Sequence, residues 1–125
     1  RGAYEMILMA FERGELEDIQ SFLSADVFET FESVVSARRD QGLTIEAEFI
    51  GVQKIAINEA TFVDTSGLAE VTIRIIGELT NVVRNAEGDV VEGHETSPKQ
   101  QKDIWTFARV MGTDDPNWQL VATGE

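Results

Sequence analysis

The 125-residue sequence contains no cysteine, two prolines, one histidine, and 10 basic residues against 23 acidic ones. Without cysteine the chain can form no disulfide, no thiolate metal site and no thiol nucleophile, although intracellular and periplasmic locations both stay open. The formal charge of -13 disfavours contact with phosphate backbones, so nucleic acid is not an expected partner. No apolar run approaches the roughly 18 residues that a membrane-spanning helix needs.

Helical periodicity covers the first part of the chain, where it predicts three helices. Apolar side chains three and four residues apart indicate a helix over residues 3–13 and a shorter one over residues 15–23. Ser24 can accept a hydrogen bond from the first turn of a third helix, which ends at Gly42. Each helix is expected to bury one face.

Beyond the third helix the apolar period changes to two, which indicates strands with one buried and one solvated face. The first predicted strand covers residues 45–57, and a turn at Asn58-Glu59 separates it from a short strand over residues 60–64. A long strand follows over residues 68–84. The residues predicted to face inward on the first strand are Ile45, Ala47, Phe49, Gly51, Ile55 and Ile57.

The last third of the chain contains a hairpin signal and a polar stretch. Residues 85–88 end in a glycine that can adopt the positive φ of a hairpin turn. The acidic stretch 89–101 is predicted to remain largely a loop. The chain then forms a second hairpin, whose strands cover residues 102–111 and 118–123 and carry both tryptophans.

Three helices followed by an antiparallel sheet indicate the α+β class, with the helices on one sheet face. The length fits a single domain over residues 1–125. We expect three N-terminal helices packed on a curved antiparallel sheet of four to six strands, with a conical interior between the two layers.

Three polar residues are candidates for chemistry. His94 has no second histidine at a ligand spacing, so a solvated side chain is expected rather than a general base or metal ligand. Asp103 shares a strand face with Trp105 and Phe107, where it could serve as an acid or base, but it is expected to start the strand in water. Tyr4 could donate to a substrate carbonyl; a core tyrosine with its hydroxyl at the surface is the favoured interpretation.

The remaining charged pairs suggest no site. Glu46 and Glu48 fit a solvated strand face, and Asp114 and Asp115 fit a turn. Arg38 and Arg39 fit a helix C-terminus, where positive charge suits the helix dipole. No phosphate-binding loop or nucleophile motif occurs. No catalytic residue, metal or cofactor is therefore predicted.

The aromatic residues are most simply part of the core. The alternative is that some line a cavity, because a cone can be left partly unfilled and then bind an apolar ligand. The residues assigned to this pocket are Phe28, Phe31, Phe49, Ile73, Trp105, Phe107 and Trp118.

Several short motifs occur in a fixed order along nearly the full length of the chain. They are Ala3-Tyr4-Glu5-Met6-Ile7, Ala10-Phe11-Glu12-Arg13-Gly14-Glu15, Leu23, Phe28, Trp105-x-Phe107-x-Arg109 and Trp118-x-Leu120-x-Ala122. This ordered set resembles the C-terminal domain of the mitochondrial inner-membrane import-motor adaptor Tim forty-four, and especially its bacterial relatives.

The resemblance implies a nuclear-transport-factor-two-like or cystatin-like cone, an apolar pocket, and no catalytic activity. It also implies a membrane-associated adaptor or scaffold for protein partners, with a role in protein transport. An N-terminal hydrophobic anchor usually precedes the domain in bacterial relatives, so we expect a location at the bacterial inner membrane with the domain facing the cytoplasm. Because residues 1–40 carry nine acidic and four basic side chains, direct binding to anionic lipid is not expected.

Two other functions stay open. The same cone hosts isomerases and dehydratases, which would require Asp103 or another carboxylate to point into the pocket. A carrier of a small apolar ligand is the other alternative. A homodimer through an open sheet face is also left open.

Overall fold

A computed structural model describes residues 2–113 and 118–124, apart from the side chain of Glu95. These residues form two α-helices, one 3-10 helix and four strands, which confirms the α+β class. The elements are α1 (Gly2–Arg13), the 3-10 helix (Leu16–Phe22), α2 (Ala25–Asp40), β1 (Thr44–Val63), β2 (Leu68–Arg84), β3 (Val90–Val110) and β4 (Gln119–Gly124). No helix in this described part is both long and apolar enough to cross a bilayer.

The helix boundaries agree with the sequence patterns. α1 ends at Arg13, as predicted. Ser24 is the N-cap of α2, where its hydroxyl accepts a hydrogen bond from the amide of Val27 at 3.3 Å. Basic residues occupy the last turn of α2, where positive charge is favourable next to the unpaired carbonyl groups.

The second predicted helix is a 3-10 helix rather than an α-helix. Its buried side chains, Leu16 and Ile19, are three residues apart, which matches the three-residue repeat of 3-10 geometry. Immediately after it, Leu23 forms a parallel bridge with Leu120 on β4, and the amide of Ser24 donates to the carbonyl of Leu120 at 2.9 Å. The helical layer is thereby hydrogen bonded to the last strand.

The four strands form one antiparallel sheet in the order β1-β2-β3-β4, within the range predicted. The predicted break at Asn58-Glu59 is wrong, because β1 continues to Val63. Ile57 pairs with Ile73 and Glu59 pairs with Thr72, so Asn58 is an extra residue in a β-bulge. A polar dipeptide can therefore lie inside a strand without ending it.

Two further bulges change which side chains of β1 face the helices. Phe49 pairs with Leu79, but Gly51 pairs with Glu78, so Ile50 is an extra residue and the alternation shifts by one. Gly51 therefore lies on the outer face, contrary to the prediction, and Val52 packs against the core. A second extra residue, at position 53, restores the original alternation before Ile55.

The predicted loop over residues 89–101 is also wrong. β3 begins at Val90 and pairs with β2 along this stretch. Its side chains are mostly exposed, so the polar composition reflects solvent contact rather than the absence of a strand. The register changes between His94 and Lys99, where residues 95–98 lie opposite the single residue Thr80.

The core lies between the helical layer and one face of the sheet. Its least exposed large side chains come from α1, the 3-10 helix, β2 and β4, and they are Tyr4, Ile7, Ile19, Ile75, Leu79 and Leu120. The helices do not cover the whole sheet. Ile57 belongs to the same cross-strand row as Trp105, yet it is 72% exposed, whereas Trp105 is buried.

Candidate functional site

Tyr4 on α1 and Asp103 on β3 meet in the interior, although 99 positions separate them in the sequence. The tyrosine hydroxyl donates a hydrogen bond to Asp103 Oδ2 at 2.8 Å, and Gln101 Nε2 donates to Asp103 Oδ1 at 3.2 Å. Tyr4 is 2% exposed and Asp103 is 8% exposed. Both favoured interpretations were wrong, because Asp103 does not start its strand in water and the Tyr4 hydroxyl does not reach the surface.

The Tyr4 ring occupies a space that a glycine leaves open on the sheet. A Cβ atom at Gly77 would lie 3.1 Å from Tyr4 Cε2 and 3.1 Å from its hydroxyl oxygen. The ring also packs against Trp105, with centroids 4.8 Å apart, and against Phe49 at 6.2 Å. A glycine inside a strand often marks such a close approach, so Gly77 was the available sequence signal for this contact.

The electrostatics of the Tyr4–Asp103 pair favour a neutral phenol. Burial, followed by the hydrogen bond to the Asp103 carboxylate, raises the pKa of Tyr4 well above its ordinary value of 10.0. The hydroxyl therefore remains protonated, and a hydrogen-bond donor, at physiological pH. Its present partner is a carboxylate of the same chain, so the pair serves to connect α1 to β3.

A second buried polar group, Glu12, was not identified from the sequence. Glu12 is 8% exposed on the inner face of α1. Burial raises its pKa, while the charges of Lys99 and Arg38 and a hydrogen bond with Asn81 oppose this effect. The available signal was its position: Glu12 lies one helical turn after Leu8, on the apolar face of α1.

Arg38, at the end of α2, holds α2 against α1. Its Nη1 donates to the carbonyl of Phe11 at 2.9 Å, and its guanidinium lies 4.5 Å above the Phe11 ring. Burial lowers the pKa of Arg38, and the charge of Glu12 opposes that effect. This arginine was predicted to complement the helix dipole, and in addition it makes these two packing contacts.

An open groove with carboxylates along its sides lies between α1, the 3-10 helix and β1, and we name it the acidic groove. Its volume is about 510 Å³. The lining residues are Glu5, Met6, Met9, Ala10, Arg13, Glu15, Asp18, Ile19, Glu48 and Phe49. All four of these described carboxylate residues are exposed, and the apolar lining residues include the exposed Met6 and the buried Met9, whose side chains adapt easily to a partner.

Two more grooves adjoin this region. The first, which we name the edge groove, has a volume of about 390 Å³ and is lined by Arg13, Ile45, Glu46, Ala47, Glu48, Thr80 and Val82. The second, of about 480 Å³, lies at the C-terminal ends of both α-helices and includes Arg13, Arg38 and Arg39. Neither Tyr4 nor Asp103 lines any of these three grooves.

The remaining polar candidates from the sequence are His94 and the acidic pairs. His94 is exposed, as expected, and its Nδ1 accepts hydrogen bonds from the amides of Thr96 and Ser97. Glu46 forms an ion pair with Arg84 at 3.4 Å. Within the described residues, no three histidine, aspartate or glutamate side chains are close enough to hold a metal ion. The remaining pair, Asp114 and Asp115, lies outside the described residues.

The seven residues assigned to an apolar pocket are distributed between the core and its margin. Phe31 and Trp105 are buried in the core. Four others are partly buried and pack against it, namely Phe28, Phe49, Ile73 and Phe107. Trp118 has intermediate exposure.

These features define an α+β domain whose helical layer covers part of an antiparallel four-stranded sheet. The family described as "Tim44-like domain" matches residues 1–125, so the chain belongs to the Tim44-like family, which confirms the resemblance seen in the sequence motifs. A similar protein from Caenorhabditis elegans is named "Probable mitochondrial import inner membrane translocase subunit tin-44". It is 26% identical over 118 residues, a match that covers 92% of this chain and 27% of that protein.

A solved structure of similar fold is the intermembrane space region of the chloroplast protein ARC6. It matches with a TM-score of 0.57 and 11% sequence identity, over 93% of this chain and 82% of that chain. At this level of identity the similarity concerns the fold alone, and it agrees with an α+β domain.

Proposed function

We propose that this chain is a non-enzymatic adaptor domain that binds proteins at an inner membrane during protein transport. Membership of the Tim44-like family supports this proposal. So does the similarity to a protein whose name describes an inner-membrane translocase subunit. Because the chain spans only 27% of that relative, the role assigned here is that of one binding domain within a larger protein.

The observation that carries the proposal is the acidic groove. Its four described carboxylate residues are exposed, and its apolar lining residues can contact the side chains of a bound protein. A groove lined by both charged and apolar residues favours protein recognition, because the charges accelerate and select encounters while the apolar residues supply contact area. The chain as a whole is also acidic, with a formal charge of -13.

The placement of the buried polar groups supports a non-enzymatic role. A general acid or base must reach the atom on which it acts. The Tyr4 hydroxyl instead contacts a carboxylate of its own chain, and neither partner borders the acidic groove. An isomerase or dehydratase activity centred on Asp103 is for this reason the less favoured alternative.

Several finer features belong to the same proposal. We place the protein at a bacterial inner membrane, held by an upstream anchor, with the domain facing the cytoplasm. The helical layer and sheet would form a nuclear-transport-factor-two-like cone. The assignment of the seven pocket residues to an apolar-ligand site stays a prediction, as does a homodimer through the open part of the sheet.

Crosslinking of the full-length protein in its native membranes tests the adaptor function. The wild type should retain components of the membrane protein-transport machinery after purification. The double substitution Glu5→Lys and Glu48→Lys, which reverses two charges of the acidic groove, should lose most of them. The matched control, Glu29→Lys and Glu32→Lys, makes the same change of charge on the exposed side of α2 and should retain them.

Two results would contradict this proposal, the first its adaptor function and the second the role of the acidic groove. One is the absence of transport components from the wild-type sample. The other is an equal loss in both double variants, which would mean that overall charge rather than the acidic groove determines binding. Fractionation of the full-length protein, with the isolated domain as control, separately tests the anchor: the full-length protein should pellet with membranes and the domain should not.

A further inference from the structure

β1 is one of the two edge strands of the sheet, the other being β4, and one part of β1 is suited to receive another strand. Residues 44–49 pair with residues 79–84 of β2 without interruption, whereas bulges disturb β1 at position 50, at position 53 and at Asn58. Bulges commonly protect strand edges against pairing. Residues 44–49 are the longest regular stretch of this edge, one residue longer than the regular stretch 59–63, and we name residues 44–49 the edge segment.

The acidic groove and the edge groove both border the edge segment. Glu48 lines the acidic groove and the edge groove, Phe49 lines the former, and the stretch from Ile45 to Glu48 lines the latter. An added strand would thus lie between two open cavities that can accept its side chains. The backbone edge and the cavities together favour an extended occupant over a helical one, because only an extended segment can use the edge hydrogen bonds.

The charges around the edge segment specify the chemistry of that occupant. Among the described residues that line the two cavities, Arg13 is the one basic residue, whereas the acidic ones are Glu5, Glu15, Asp18, Glu46 and Glu48. Along the segment, Glu46 and Glu48 share one sheet face, and Ile45, Ala47 and Phe49 share the other. A strand that complements this pattern alternates basic and apolar residues.

We propose that the edge segment binds an extended peptide of alternating basic and apolar residues by β-strand addition. This inference rests on the proposed adaptor function and specifies the chemistry of its partner. A second copy of the chain is a poorer occupant, because two molecules of charge -13 repel each other. Arg13 opposes the incoming peptide, since its positive charge lies in both cavities and its Nη2 donates to the carbonyl of Ala47 at 3.5 Å.

The test uses a synthetic peptide that alternates lysine and valine and is as long as the edge segment. Titration into the isotope-labelled chain should shift the amide signals of residues 44–49 and slow their hydrogen exchange. Two N-methylated forms of the peptide, one modified at every valine and one at every lysine, provide a control that leaves the protein unchanged. Only one form should bind, because alternate amides of a strand face its neighbour.

Matched variants of the chain test the charges. Glu48→Lys should lower the affinity for the peptide about fivefold, the size expected when one exposed ion pair becomes a repulsion. Glu32→Lys, the same change on the exposed side of α2, should leave the affinity nearly unchanged. Arg13→Ala should strengthen binding, because it removes the opposing charge and frees the Ala47 carbonyl.

Each contrary outcome overturns the strand-addition proposal in a distinct way. Binding of both N-methylated forms would exclude backbone pairing, and shifts confined to α2 or β4 would place the site elsewhere. A dimer that protects residues 44–49 without peptide would make the occupant a second copy. If no peptide binds while the crosslinked adaptor complex still depends on Glu5 and Glu48, strand addition is wrong and the adaptor function stands. If no peptide binds and no transport component is crosslinked either, both proposals are rejected.

Discussion

The Tyr4 hydroxyl donates a 2.8 Å hydrogen bond to the carboxylate of Asp103, and this contact joins the first helix to the third strand in the interior. Such a bond contributes more through the cost of losing one partner than through its own strength. A buried carboxylate that loses one of its donors is less well compensated for its lost contact with water. The contact therefore ties the position of α1 to the register of β3.

Tyr4→Phe should destabilise the chain by about 1–3 kcal/mol, because Asp103 stays buried after losing a hydrogen-bond donor. Urea unfolding monitored by tryptophan fluorescence measures the change. Phe62→Leu is a control at a side chain that is 56% exposed, and it should cost less than about 0.5 kcal/mol. A Tyr4→Phe variant as stable as the control would show that the hydrogen bond does not hold α1.

Gly77→Ala tests the close approach between the sheet and the Tyr4 ring. The new methyl group would lie 3.1 Å from Tyr4 Cε2 and 3.1 Å from the Tyr4 hydroxyl oxygen. The tyrosine side chain must therefore shift, which should lower the free energy of unfolding by about 1–3 kcal/mol. Gly51→Ala is a matched control on β1, where a Cβ atom would meet nothing within 4 Å. Equal unfolding free energies for the two variants would mean that the Tyr4 ring can relax without loss of packing.

The raised pKa of the buried Glu12 side chain predicts how the stability of the chain changes with pH. Burial raises its pKa above 4.5, so the folded chain binds this proton more tightly than the unfolded chain does. The stabilising contribution is complete below about pH 4.5 and is lost as the pH rises through the folded-state pKa. Lys99, Arg38 and Asn81 reduce the effect, whereas Asp103 adds to it.

Glu12→Gln removes this titration. The unfolding free energy of the variant relative to the wild type should therefore increase as the pH is raised from about 4.5 towards neutrality. Paired urea titrations at several pH values measure it. Glu29→Gln, at an exposed position on α2, should give a difference that is nearly independent of pH. A flat difference for Glu12→Gln as well would exclude a raised pKa.

Arg38 and Arg39 are adjacent basic residues with different expected importance. Arg38→Ala removes the bond to the Phe11 carbonyl, the stacking on the Phe11 ring and a charge beside Glu12, so it should cost about 2 kcal/mol. Arg39→Ala, with the same loss of charge at an exposed side chain, should cost less than about 0.5 kcal/mol. Thermal unfolding of both variants provides the measurement, and equal losses would assign the effect to net charge.

The local patterns that proved correct all depend on neighbouring residues. Ser24 caps α2, Gly88 has a φ of 86° in the turn between β2 and β3, and β2 covers residues 68–84 as predicted. In each case side-chain periodicity or turn chemistry acts over a few positions. The same reasoning failed for residues 89–101, because their pairing is determined by β2 and does not require apolar side chains.

The candidate sites were harder to predict than the elements. The sequence identified Tyr4 and Asp103 separately, but a pairing between residues 99 positions apart leaves no local pattern. Gly51 was assigned to the inner face because alternation is counted residue by residue, and the bulge at Ile50 moves it to the outer face. The acidic groove combines α1, the 3-10 helix and β1, so it exists only once these elements pack together.

By itself the sequence determined the α+β class, the extent of α1, α2 and β2, and the acidic character of the surface, because periodicity, capping and charge are properties of neighbouring residues. Only the tertiary structure decided that Asp103 and Glu12 are buried, that bulges leave residues 44–49 as the longest regular stretch of an edge, and that carboxylates line one groove. The physical reason is that burial and strand register are set by contacts between distant segments, whose energies no single segment contains.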